Sequence, residues 1–285
     1  MFRFGFSKDG SKFQAVRFQG LSESKSVFDR ADENLRQGVV LDVETTGLER
    51  ESDQIIEIAA RKIGFNRLSG EVVWIGDSFQ ALQEVDVPLS PFVTKLTGLT
   101  DKDLEGQAID WSAFNAFIED AVILISHNAG FDRPFVDRLS KASPEKIWGC
   151  SLSQVDWKEW FPSRSQEVLL LYHGLFYDGH RSLADVDALI KLLSFSLPED
   201  KERTYLSLLL ENARKPSYVV YAANSPFESK DMLKKSRYRW DGQVWSKRVQ
   251  EEHLEQEKQF LAERVYGGTF RGRVKQIKAK DNFKG

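Results

Sequence analysis

Residues 39–47, Val-Val-Leu-Asp-Val-Glu-Thr-Thr-Gly, constrain this chain more than any other stretch. Val39, Val40, Leu41 and Val43 form a β-branched apolar run, ended by the Thr45-Thr46-Gly47 turn, and such a run reads as a buried central strand. Asp42 and Glu44 interrupt it. Side chains two apart on a strand share a face, with Cα atoms roughly 6–7 Å apart at ~3.3 Å rise per residue. Two carboxylates pointing together out of a buried strand repel each other and lose hydration. Buried acids are rare unless paired or ligating a metal. A divalent cation between them removes the conflict, and all-oxygen ligands select Mg²⁺ or Mn²⁺. A strand end whose acids reach solvent is the simpler alternative, so acids elsewhere in the chain must decide.

Two further segments supply them. Ala121–Ile125 reads as a short buried strand, Ser126–Gly130 as a loop, and Asp132 as the opening of a helix with Phe135, Val136 and Leu139 on one face. Taken alone, Asp132 is first an acid favoured at a helix start. Further on, Ser182 and Asp185 fit an S-x-x-D capping box before the apolar stripe Leu183, Val186, Leu189, Ile190 and Leu193. Pattern alone does not separate Asp185 from Asp187, and His180 in a polar loop means little by itself.

Taken together, the three segments resemble the DnaQ-like, or DEDDh, 3′–5′ exonucleases of the ribonuclease-H-like fold. The motifs that carry the resemblance are Asp42-Val43-Glu44-Thr45-Thr46-Gly47, His127-Asn128-Ala129-Gly130-Phe131-Asp132, and His180 followed five residues later by Asp185. The last spacing selects Asp185 over Asp187. Gln54–Ala59 looks like the family's second strand. Leu96-Thr97-Gly98-Leu99-Thr100 is similar to a family segment that has His in many relatives where this chain has Thr97. The resemblance covers about residues 37–197. It implies an α/β mixed sheet flanked by helices, with Asp42, Glu44, Asp132 and Asp185 holding two Mg²⁺ or Mn²⁺ ions. It further implies His180 as general base, and contacts to the nucleic acid from Thr45, Leu96, His127 and Asn128. Histidine titrates near ~6.5 in water, which suits a base at neutral pH. The reaction implied is release of nucleoside 5′-monophosphates from a 3′ end, on single-stranded DNA first, with a replication or repair protein as a further partner. The motifs act on the phosphodiester, so they leave open an RNA 3′-end exoribonuclease and a non-catalytic accessory that binds nucleic acid.

Composition supports a globular protein, at 41% hydrophobic and 29% charged residues. No apolar run approaches the ~18–20 residues of a membrane span, the N-terminus is too charged for a signal-peptide core, and the single Cys150 allows no internal disulfide. A cytoplasmic location is expected. The net charge of −3 hides a division. Residues 1–213 hold 23 Lys+Arg against 34 Asp+Glu, a net of −11, and residues 214–285 hold 17 against 9, a net of +8. The basic end offers attraction to a phosphate backbone, or simply balances the body.

The expected organisation has four parts. Residues 1–36 are an N-terminal extension in which Phe2, Phe4 and Phe6, the Asp9-Gly10 turn, and Phe13, Val16 and Phe18 suggest a hairpin, with a short helix between 19 and 36. Residues 37–198 are the exonuclease domain. Its strands are expected near 38–44, 54–64, 71–80, 121–125 and 146–150, and its helices within 91–119, 131–141, 165–176 and 183–195. Residues 199–215 are a helical linker. Residues 216–285 form a basic α+β module with a strand at Tyr218–Tyr221, a helix from Pro226 to Lys235, a hairpin on Asp241-Gly242, a helix over 249–264 and a flexible basic tail. A two-residue turn would set Tyr238 opposite Trp245 and Trp240 opposite Gln243, leaving Arg237 and Arg239 on the other face as candidate nucleic-acid contacts.

Overall fold

The computed structural model describes residues 13–284. After a two-residue strand, β1 (Val16–Arg17), the apolar run around Asp42 forms β2 (Leu35–Thr45). β2 pairs antiparallel with β3 (Ile55–Asn66), and β3 with β4 (Val72–Leu82). Three short helices follow, α1 (Pro91–Thr97), α2 (Asp101–Leu104) and α3 (Trp111–Phe117). Strand β5 (Leu124–Ser126) then joins the other side of β2 in parallel. After α4 (Ala129–Leu139), strand β6 (Trp148–Cys150) extends the sheet, parallel to β5. The order β4-β3-β2-β5-β6 makes a mixed five-stranded sheet with β2 at its centre, in line with the ribonuclease-H-like expectation. The remaining elements of this unit are α5 (Ser151–Gln154), α6 (Gln166–Tyr172), β7 (Leu175–Phe176), α7 (Ser182–Leu193) and α8 (Tyr205–Arg214).

Alternation along β2 divides two cores between the faces of the sheet. Val39, Leu41 and Val43 pack with Phe114 of α3 and Phe135 and Val136 of α4. Val40 packs with Val186, Leu189 and Ile190 of α7 and with Leu206, Leu209 and Leu210 of α8. Asp42 and Glu44 therefore point to the α7 side. Beyond Glu44 the β2–β3 pairing is irregular, and the turn is held by Thr46, whose Oγ1 donates to Asp53 Oδ1 at 2.8 Å and accepts from Gln54 N at 3.0 Å. A Cβ on Gly47 would stand 2.5 Å from Asp53 Oδ2, so a larger residue would displace that carboxylate.

Helix α4 contains Pro134, which cannot donate to the carbonyl of Gly130 four residues earlier. Arg50 Nη2 donates to that carbonyl at 3.0 Å instead, so the acceptor is satisfied and the helix continues.

The first compact unit runs to Ala213 and includes Phe283 and Lys284; the second is Arg214–Asn282. The second contains β8 (Ser217–Ala222), α9 (Lys230–Lys235), β9 (Arg239–Trp240), β10 (Trp245–Gln250), α10 (Leu254–Arg264) and β11 (Arg273–Ile277). Its four strands form an antiparallel sheet in the order β11-β8-β10-β9.

Several expectations are corrected. The helical linker is not a linker, because Tyr205, Leu206, Leu209, Leu210 and Ala213 of α8 are buried in the first unit's core. The helix expected over 165–176 ends at Tyr172, and Leu175–Phe176 pairs in parallel with β1. The residues between β1 and β2 form no helix. Phe2, Phe4, Phe6 and the Asp9-Gly10 turn lie outside the described residues. In the second unit the turn holds four residues rather than two. Asp241 Oδ1 accepts from the backbone N–H groups of Gln243 and Val244, Gly242 takes φ +98°, and Trp240 now faces Trp245. The helix expected from 249 begins at Leu254, since Trp245–Gln250 is strand, and the tail supplies β11.

Candidate active site

Asp42 and Glu44 stand on the α7-facing side of β2, and Asp185 comes from the first turn of α7. One oxygen from each lies within 4.8 Å of the others. Asp132, in the first turn of α4, is buried. Burial pushes Asp42 well above the usual carboxylate range, and the charges of Asp132, Asp185, Glu44 and Glu57 push it further. Burial, with Asp185, Glu57 and Asp132, raises Glu44 to about 8, opposed by Arg181. Burial raises Asp132 to about 7. Asp185 is raised by burial against a lowering hydrogen bond from Tyr177. Burial is the largest cause of each shift, and neighbouring like charges add to it for Asp42 and Glu44. A donor set of clustered carboxylate oxygens fits hard divalent cations such as Mg²⁺ and Mn²⁺.

Asp185 is held from three sides. The Tyr177 hydroxyl donates to its Oδ1 at 2.6 Å, and Gln166 Nε2 donates to that hydroxyl at 2.8 Å and to the Asp185 carbonyl at 2.9 Å. Burial, with the Asp185 charge beside it, drives the Tyr177 phenol far up, so it stays protonated and remains a donor. The Arg181 N–H donates to Asp185 Oδ2 at 3.2 Å. Arg181 is the N-cap of α7, and the Ser182 hydroxyl is buried without a hydrogen-bond partner, so the expected Ser182 cap does not form.

The structure separates Asp185 from Asp187. Asp187 takes Arg61 Nε at 2.6 Å on Oδ1 and the backbone N–H of Leu21 at 2.9 Å on Oδ2. Its carboxylate is committed to a buried ion pair and to tying down the N-terminal segment.

His180 is about half exposed, with Nε2 3.6 Å from Glu167 Oε1. Its φ of +66° is uncommon for a non-glycine residue and marks a constrained backbone where the loop enters α7. Thr45 is buried, and its hydroxyl donates to the Gly47 carbonyl at 2.6 Å. His127 is committed to the protein through both ring nitrogens. The Arg164 carbonyl can only accept, so Nε2 carries the proton at 2.9 Å, and Nδ1 accepts from the Ser151 hydroxyl at 2.6 Å. Burial lowers its pKa to about 4, keeping it neutral. Asn128 is exposed at the N-cap of α4, and Leu96 is exposed on α1, whose Val93 packs with Ile56 beside Glu57. Arg239 lies on β9 of the second unit, whereas Arg237 precedes the strand with φ +66° and does not share its face.

Sequence reasoning missed Glu57, Tyr177, Gln166 and Glu167. Glu57 had a signal: it interrupts an apolar run just as Asp42 does. It pairs directly with Glu44 across the strands, fully buried, and accepts from Gln80, Arg181 and the Ser182 N–H. Tyr177, Gln166 and Glu167 carried no pattern.

The family model RNase_T, described as an exonuclease, matches residues 39–193, more than half of the chain. The chain belongs to this exonuclease family. The matched span contains Asp42, Glu44, Asp132, His180 and Asp185, and excludes Arg237 and Arg239. Among curated relatives, the PolC-type DNA polymerase III of Streptococcus pyogenes serotype M5 (strain Manfredo) is 39% identical over 115 residues. The serotype M4 (strain MGAS10750) protein is equally similar. The alignment takes in 39% of this chain and only 7% of the relative's length. Among solved structures, exonuclease X in complex with 5′-overhanging duplex DNA is similar at 21% identity and TM-score 0.41, over 59% of this chain and 98% of that one. The nuclease domain of 3′hExo, a DEDDh family member bound to rAMP, gives 19% and TM-score 0.45, over 60% and 96%.

Proposed function

We propose that this exonuclease hydrolyses phosphodiester bonds from 3′ ends, in the 3′→5′ direction, releasing nucleoside 5′-monophosphates with two divalent cations. The observation that carries it is the half-buried convergence of Asp42, Glu44 and Asp185, with Asp132 charged against them, beside the half-exposed His180. Bound ions would activate a water and neutralise the developing phosphate charge. The chain's own residues do the rest. Asp42, Glu44, Asp132 and Asp185 supply the oxygen ligands, and the Tyr177–Gln166 pair fixes the rotamer of Asp185. The His180 imidazole accepts the water's proton, and Glu167 stabilises the imidazolium that results.

Single-stranded DNA is the favoured substrate, supported by similarity to a segment of PolC-type DNA polymerase III, and a place in DNA replication or repair follows from it. Digestion of 3′- and 5′-labelled single- and double-stranded DNA and RNA, with Mg²⁺, Mn²⁺ or EDTA, tests this. Mononucleotides released from the 3′ end only with the metals are expected. Undiminished cleavage in excess EDTA would overturn the metal-dependent reading, and exclusive cleavage of RNA would overturn the DNA assignment.

A further inference from the structure

One face of the second unit's sheet carries its hydrophobic core. Val220, Ala222 and Val249, with Tyr218, Trp245 and Val274, pack against Leu233 of α9 and Leu261 of α10. Cross-strand partners in an antiparallel sheet project to the same side, so the register fixes what the opposite face carries. One row across the four strands reads Arg239, Ser246, Tyr221, Arg273; the next reads Arg248, Val219, Lys275. Arg239, Arg248, Arg273 and Lys275 are exposed.

No strand residue of this unit is acidic; its acids lie on helices, short 3₁₀ turns and the Asp241 turn. Arg239, Arg273 and Lys275 have no carboxylate partner among the described residues. Arg273 lies 4.4 Å over the Tyr221 ring, and Arg248 Nε donates to Ser217 Oγ at 2.9 Å. The Tyr221 ring orients the Arg273 guanidinium without neutralising it. A solvated surface of scattered charges would mix signs and leave its arginines unheld.

We infer that this face binds the sugar–phosphate backbone of a single-stranded nucleic acid. The proposal rests on the exonuclease reading and adds a second contact to the strand being degraded. A phosphate chain supplies the negative charge the face lacks, while Val219 and Tyr221, half-buried between the basic rows, present an apolar strip to unstacked bases. Four strands at ~4.8 Å spacing make the face about 14 Å across before side chains are added. That exceeds the ~12 Å major groove of B-DNA, so the face does not suit groove insertion, and its apolar strip needs the unstacked bases that only a single strand offers. Recognition is of backbone charge and therefore indifferent to sequence.

The test uses the full chain with Arg239→Glu, Arg273→Glu and Lys275→Glu combined, alongside the milder Arg273→Gln/Lys275→Gln pair in case the triple variant fails to fold. Binding of a labelled ~30-nucleotide strand, longer than the ~4–16 nucleotides a binding fold covers, is followed by anisotropy in EDTA over a salt series. For the triple variant, affinity should fall by at least ~10-fold and the slope of log K against log salt should shrink by about 2, at ~0.7 per lost phosphate contact. For the neutral pair the slope should shrink by about 1. Turnover of a dinucleotide should stay unchanged. Unaltered affinity and slope in a folded variant overturn the proposal, and equally weakened binding of a blunt duplex overturns its single-strand part. An enzyme that degrades no strand yet shows these binding losses would overturn the exonuclease reading and leave the binding face standing.

Discussion

In the first unit, carboxylates converge on a partly buried site, where burial and neighbouring charges lift Glu44 to about 8 and burial lifts Asp132 to about 7. In the second, Arg239, Arg273 and Lys275 stand on an open sheet face. Both are concentrations of one sign of charge, but burial gives them different chemistry. Buried charge cannot be relieved by bulk salt and calls for protons or a tightly held cation. Exposed charge is screened over about 8 Å at physiological ionic strength and exchanges its partners readily. The site should thus answer to divalent ions and pH, and the sheet face to monovalent salt.

The largest expected effect comes from breaking the buried cluster. Asp42→Asn should take mononucleotide release to the detection limit, while raising the Tm measured in EDTA because one repelling charge is gone. Retained turnover would remove Asp42 from the site. His180→Ala should lower kcat by about 10²–10⁴-fold with Mn²⁺ affinity by calorimetry unchanged. A wild-type rate at neutral pH would assign the base elsewhere. Tyr177→Phe removes one hydroxyl and should raise the Mg²⁺ concentration for half-maximal rate by about 10–100-fold, the usual cost of a lost outer-sphere partner. Strand affinity in EDTA should stay unchanged.

The smallest effect is on stability, and it sharpens the contrast most directly. Glu44 and Asp132 hold protons in the folded state up to about 8 and about 7, above their ordinary values of 4.5 and 3.8. The native state therefore binds more protons than the unfolded chain in this window. The stabilisation is full below the ordinary values and is lost as pH rises through 7 to 8. In EDTA, thermal melts should fall by a few degrees between about pH 6 and pH 9. Saturating Mg²⁺ should flatten that slope, and Glu44→Gln should reduce it. A slope that Mg²⁺ leaves intact would place its origin outside the cluster.

Much of the site was legible because Asp42 and Glu44 break a local rule: an acid in a buried strand is conspicuous wherever it occurs. Glu57 breaks the same rule and was readable on the same grounds. Asp185 and Asp187 were not separable by pattern, since both begin one helix. What divides them is the reach of Arg61 from β3 and of Leu21 from the chain's start, and no local pattern records such long-range partners. Tyr177 escaped for the same reason. In the second unit the Asp241-Gly242 pair suggested the hairpin but not its length. Two backbone N–H groups captured by Asp241 extend the turn to four residues and shift every cross-strand partner. Helix α8 looked like a linker because its neighbours in sequence are polar, although its own apolar face is buried against α7 and β-sheet residues.

Strand β1 has a meaning for variant interpretation. It pairs with β7 through Val16 N–H to the Gly174 carbonyl and Phe18 N–H to the Phe176 carbonyl, and three residues later Leu21 caps Asp187. The loop bearing His180 lies between these two attachment points, and Tyr177 sits at its root. Substitutions at Val16, Phe18 or Leu21 lie some 160 residues before His180 in sequence and outside every motif. They nevertheless belong with changes to the candidate site, because they loosen the frame in which His180 and Asp185 are presented.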